Sequence, residues 1–139
     1  MAENQSTSNL PRVLIKRAFE DILVDEFEAD YISDAFTTGV NDRVQVSIPE
    51  MSEDFVRLNL NSSKIQSTLT ITFNIFSEVN ETGVHELLYR IIKIPANHPL
   101  LRQFKLSELY PSSSFTSYDN EASEGHVSGQ VVLTMKYLF

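Results

Sequence analysis

The chain has 139 residues, 19 acids against 11 bases for a net charge of −8, and no cysteine. That length fits one domain able to bury about two thirds of its unfolded surface, and the absence of thiols excludes disulfides, thiolate metal sites and a cysteine nucleophile. The acidic balance argues against tight nucleic-acid binding, which rests on Lys and Arg neutralising phosphates.

Residues 1–9, MAENQSTSN, carry neither a basic nor an apolar export region, and no run reaches membrane-spanning length. The expectation is a flexible polar arm, a cytoplasmic protein and no membrane partner. Pro11 suits the first turn of a helix. Ile15, Ala18, Phe19, Ile22, Leu23 and Phe27 then recur at three- and four-residue spacing, predicting an amphipathic helix over 11–27.

Alternation follows a connecting stretch that holds Gly39, Asn41 and Asp42. Val44, Val46 and Ile48 predict one strand; Val56, Leu58 and Leu60 predict a second, with residues 49–54 as the turn between them. The run KIQSTLTITFNIFS is the cleanest strand of the chain. Ile65, Leu69, Ile71, Phe73 and Ile75 point one way, and Gln66, Thr68, Thr70, Thr72 and Asn74 the other. One face is therefore expected under the helices and the threonine face wet or against a polar partner. Asn80 or Thr82 can cap a second helix carrying Val84, Leu87, Leu88, Ile91 and Ile92, which Pro95 and Pro99 end. Leu100, Leu101 and Phe104 fit one or two further helical turns. Residues 115–118 and the alternation Val131, Leu133, Met135, Tyr137 predict two closing strands. The whole, residues 10–139, reads as a single α+β domain: a mostly antiparallel sheet of about five strands with two main helices packed on one face.

The four glycines are scattered, so neither a Walker loop nor a dinucleotide fingerprint can form. Ser128, in Gly125-His126-Val127-Ser128-Gly129, is one position off a nucleophile elbow and precedes a strand instead of following one. Asp119, Glu121 and Glu124 beside His126 offer oxygen ligands and an imidazole. Their spacing misses a calcium loop, whose twelfth position would be Gln130. A solvated hairpin turn is the simpler reading, with no catalytic residue, no metal and no cofactor expected.

Several segments together resemble the tail terminator proteins of long-tailed bacteriophages, the minor tail protein U family of lambda-like phages. They are the leading helix over 11–27, the strand over 67–76 running into the helix over 84–94, and the proline-flanked Leu100 and Leu101. To these the closing hairpin adds Tyr118, the acidic turn 119–124, Gly125, Ser128 and Tyr137. The insert around 31–42 departs from the family pattern. The resemblance implies a non-enzymatic virion tail protein, assembled in the host bacterial cytoplasm. In the family, subunits form a hexameric ring that caps the tail tube, stops its growth and offers the joining surface for the head-completion protein. DNA then meets the protein only by passage through the pore. Under that reading Asp119, Glu121 and Glu124 are expected at a ring edge or the tube-facing surface, and Thr68, Thr70 and Thr72 against a neighbouring subunit. Two alternatives are another head–tail connector or tube subunit and a small metal-dependent enzyme using the acidic turn.

Overall fold

Pro11 opens helix α1, Pro11–Asp21, which turns Ile15, Ala18 and Phe19 inward. The chain then widens into a π turn, Ile22–Glu26, that buries both Ile22 and Leu23. The helix expected over 11–27 is present, with a change of pitch in its last turns. Glu28, at φ 55°, takes the left-handed conformation that ends helices, and the Ala29 amide donates back to the Leu23 carbonyl at 2.9 Å. The computed structural model describes residues 10–32, 44–61, 63–78, 80–119 and 126–139. The arm over 1–9 and most of the insert lie outside them.

Five strands follow: β1 (Asp30–Tyr31), β2 (Gln45–Arg57), β3 (Ile65–Ser77), β4 (Glu108–Asp119) and β5 (His126–Leu138). They form one sheet in the order β1-β2-β3-β5-β4, antiparallel except for the short parallel pair β1 and β2. Helix α2, Glu81–Ile92, joins α1 on one face of the sheet. The core lies between them. Leu69, Ile71, Phe73 and Ile75 of β3 and Val131, Leu133 and Met135 of β5 are all essentially inaccessible there. This is the α+β fold expected from the sequence, with its strands drawn differently.

The two short strands expected over 44–48 and 56–60 are one long strand. A register shift between Ser47 and Glu50 places Ile48 and Pro49 together opposite Phe73, so Pro49 sits in a bulge and makes no turn. The extra residue reverses the phase of everything beyond it. Met51, Glu53 and Phe55 therefore share the helix side with Ile71, Leu69 and Ser67, whereas Val56, opposite Gln66, is on the open side. Val56 is exposed there, and Leu58 and Leu60, expected in a second strand with it, lie beyond the end of β2 and are exposed too. The fifth strand comes from Asp30 and Tyr31, inside the stretch expected to connect. Strand β4 is also longer than predicted, and the residues from Leu101 supply only a 3₁₀ turn, Arg102–Phe104.

Asn80, not Thr82, caps α2: its side chain accepts the Gly83 amide at 2.8 Å. A Cβ on Gly83 would lie 2.6 Å from Val44 Cγ2, so only glycine lets that first turn sit on the sheet margin. Gly129 of β5 serves the other end of the contact, since a Cβ there would press within 3.2 Å of Leu88.

Candidate protein interface

The helices of the described residues lie on one side of the sheet. On the open side, Thr68, Thr70 and Thr72 stand opposite Asp54, Ser52 and Glu50 of β2 and Lys136, Thr134 and Val132 of β5. Among the described residues no helix lies over them. Thr72 and Thr134 are nonetheless buried, and Thr68 and Thr70 half-buried. Small hydroxyl side chains in the middle of the sheet are sheltered by longer neighbours on the flanking strands, so the threonine row is the floor of this face. Tyr110 and Phe115 of β4, opposite Thr134 and Gln130, stand exposed at its margin. The strands expected around the acidic turn are paired, Asp119 against His126. Glu121, Glu124 and the side chain of Asp119 lie outside the described residues.

A surface that the sequence reading missed lies at the end of the sheet where β2 leaves and β3 enters. Leu10, Val13, Phe55 and Phe139 line one shallow cavity there on the helix side, Val56 and Leu138, both opposite Gln66, stand on the open side, and Leu58 and Leu60 lie beyond the end of β2. All eight are exposed, Leu60 at 96% and Val56 at 60%. The Phe139 ring meets Phe55 edge-on at 6.0 Å and lies 5.9 Å from Tyr137. Shallow cavities of about 330 and 300 Å³ flank Phe139 on either side of Pro11. The signal was in the sequence: four apolar residues within 55–60 exceed what one face of a strand can bury.

Beneath that end runs a polar network. Glu53, its side chain 5% exposed, accepts the Arg12 Nε–H at 3.0 Å on one oxygen; the other oxygen accepts the Tyr137 hydroxyl at 2.6 Å and the Ser67 hydroxyl. Four elements, α1, β2, β3 and β5, are thereby tied at one carboxylate. Burial first, then the hydrogen bond to Glu53, raises the Tyr137 hydroxyl above the ordinary phenol range. Tyr31 is pushed up to about 12, again by burial first and then by the Glu20 carboxylate. Both shifts favour the protonated phenol in the folded state. Their stabilisation is whole below the unfolded value of 10.0 and is lost as pH rises above it, for Tyr31 between 10.0 and about 12. Urea denaturation above pH 10 should show stability falling in the native chain and falling less steeply in Tyr137→Phe; equal slopes would sink the assignment.

The described histidines are committed elsewhere. The Tyr118 hydroxyl donates to Glu81 Oε1 at 3.1 Å and so accepts from His85 Nε2 at 3.0 Å. His98 Nδ1 accepts the Leu100 amide at 3.1 Å, leaving Nε2–H to donate to Glu26 at 2.6 Å. Among the described residues no three His, Asp or Glu side chains converge as a metal set, and no helix is long and apolar enough to cross a membrane. Fold and surface together define a small α+β protein whose described helices lie on one side of the sheet, with exposed apolar side chains at one end of it. No protein-family model matches the chain, and no curated protein matches it.

Proposed function

We propose that this chain is a structural subunit of a bacteriophage tail, a terminator that assembles as a ring on the free end of the tail tube, stops polymerisation and presents the joining surface for the head. The observation that carries the reading is the group of exposed apolar side chains Leu10, Val13, Phe55 and Phe139 around one shallow cavity, a surface suited to a protein partner. The resemblance of residues 11–139 to tail terminators supplies the kind of partner.

Physical chemistry agrees with assembly through ends and faces. Both long sheet margins are interrupted by a proline and a bulge, at Pro49 in β2 and at Pro111 in β4. Such breaks discourage strand-to-strand extension of the sheet. A tube is an open head-to-tail polymer, so a terminator needs one surface matching the tube and another that does not. A strongly acidic ring would also let DNA pass without adhering. Electron micrographs of particles made without this protein are the test: overlong, headless tails are the expected result. Tails of normal length lacking heads would point to a head-completion subunit instead, and normal particles would remove the chain from the virion.

A further inference from the structure

We infer that His98 is a pH-sensitive clasp: its protonation breaks a bond in the turn that leads to Phe104, and so loosens one wall of the cavity beside Phe139. The device belongs to the fold and does not depend on which partner that surface meets.

The chain after α2 winds around this side chain. The His98 amide donates to the Pro95 carbonyl at 3.1 Å, and the His98 carbonyl accepts the amides of Leu101 at 2.8 Å and Arg102 at 3.0 Å. The Phe104 amide donates in turn to the Leu101 carbonyl at 3.1 Å, within the 3₁₀ turn Arg102–Phe104. Leu101 is fully buried and Phe104 half-buried. With Pro11, Leu14, Tyr137 and Phe139, Phe104 lines the cavity of about 330 Å³. The place of that ring therefore follows from the turn at His98.

The imidazole makes two contacts that respond to a proton in opposite ways. Nδ1 accepts the Leu100 amide at 3.1 Å, so in this state it carries no hydrogen. Nε2–H donates to Glu26 Oε2 at 2.6 Å and ties the turn to the π turn that ends α1. An imidazolium has a hydrogen on both nitrogens. Nδ1–H and the Leu100 N–H would then point at each other, so the inner bond is lost, while the outer one becomes an ion pair with Glu26. Pro99 has no N–H to take the place of Leu100, and Leu100 is exposed, so its freed amide turns to water.

Glu26 draws the proton in and the Leu100 amide holds it off. Wherever the two balance, a charged ring and the Leu100 bond exclude each other. The ionisable side chains on the neighbouring elements are Asp25 and Glu26 in the π turn, Arg90 and Lys93 at the end of α2, and Arg102 in the turn itself. Among the described residues Glu26 is the one bonded to the ring; Arg90 is held on the Phe27 carbonyl at 3.4 Å and Arg102 on the Asn97 carbonyl at 3.1 Å. Histidine is the side chain whose ordinary titration falls near neutral pH. The His98 side chain, 12% exposed, is sheltered yet open to solvent protons.

Nuclear magnetic resonance of the labelled chain between about pH 8 and 5, where histidines titrate, tests this, with His98→Asn beside it. An Asn oxygen accepts the amide two residues on, as in an Asx turn, and does not titrate. In the native chain the Leu100 amide shift is expected to follow the His98 ring titration with one midpoint. Its protection against hydrogen exchange, corrected for the intrinsic rate, should fall by about two- to tenfold on the acid side, and the Phe104 ring signals should move at the same pH. In His98→Asn both residues should stay unchanged. Glu26→Gln, at an exposed position, removes the group that draws the proton in and should carry the His98 and Leu100 midpoints to lower pH together. A Leu100 amide that keeps its shift and protection while His98 titrates would overturn the inference. So would a His98 ring that stays neutral throughout, a Phe104 ring that does not follow, or the same response in His98→Asn.

Discussion

Replacing Phe73 by alanine should remove about 3–5 kcal/mol of unfolding free energy in urea denaturation, the range for deleting a buried phenylalanine. Phe73 is fully buried at the middle of β3, the strand held between β2 and β5. Its ring meets Phe19 of α1 edge-to-face, centroids 5.5 Å apart, and that geometry adds about 0.5–1.5 kcal/mol beyond area. The cavity left behind cannot be closed cheaply: Ile48 and Pro49 are fixed opposite by the bulge, and Val131 by the β5 register. Against the about 5–15 kcal/mol typical of a domain, the variant should sit near its unfolding threshold at 37 °C. Phe73→Leu, which keeps most of the volume, should lose distinctly less. A loss under about 1 kcal/mol for Phe73→Ala would mean that the ring is not seated between helix and sheet.

The sequence made β3 and both helices legible because each repeats its pattern over many residues. Five alternating apolar positions in 65–75 admit one strand phase, and 3.6-residue spacing fixed which sides of α1 and α2 face the sheet. β2 was misread because Pro49 is a turn residue by local chemistry, and only pairing with Phe73 shows it to be a bulge. The phase reversal that follows cannot be read from one strand alone. It put Val56 on the open side of the sheet, where it is exposed. It also turned Glu53, expected in a turn, into a buried carboxylate. The polar hub at Glu53 is a product of that one inserted residue.

Glu53→Ala should cost about 3 kcal/mol, although the side chain lies on a sheet margin and carries a charge. Removing the carboxylate releases Arg12, whose side chain is half exposed and simply returns to water. The loss comes from the hydroxyls of Ser67 and Tyr137, both almost inaccessible and each left without the oxygen they share, at about 1–3 kcal/mol per unsatisfied group. Glu53→Gln keeps an oxygen for the two hydroxyls and turns an amide towards Arg12, which can swing away, so its cost should be about 1 kcal/mol. Arg12→Ala should cost less than Glu53→Ala, because the remaining carboxylate keeps two hydroxyl donors. The triple change Glu53→Leu, Ser67→Ala, Tyr137→Phe removes every polar member at once and should recover most of the stability, as buried polar sets replaced by apolar residues commonly do. If the triple variant is as unstable as Glu53→Ala, the network contributes net stability of its own; recovery means that its role is to fix how β2, β3, β5 and the start of α1 meet beneath the apolar end.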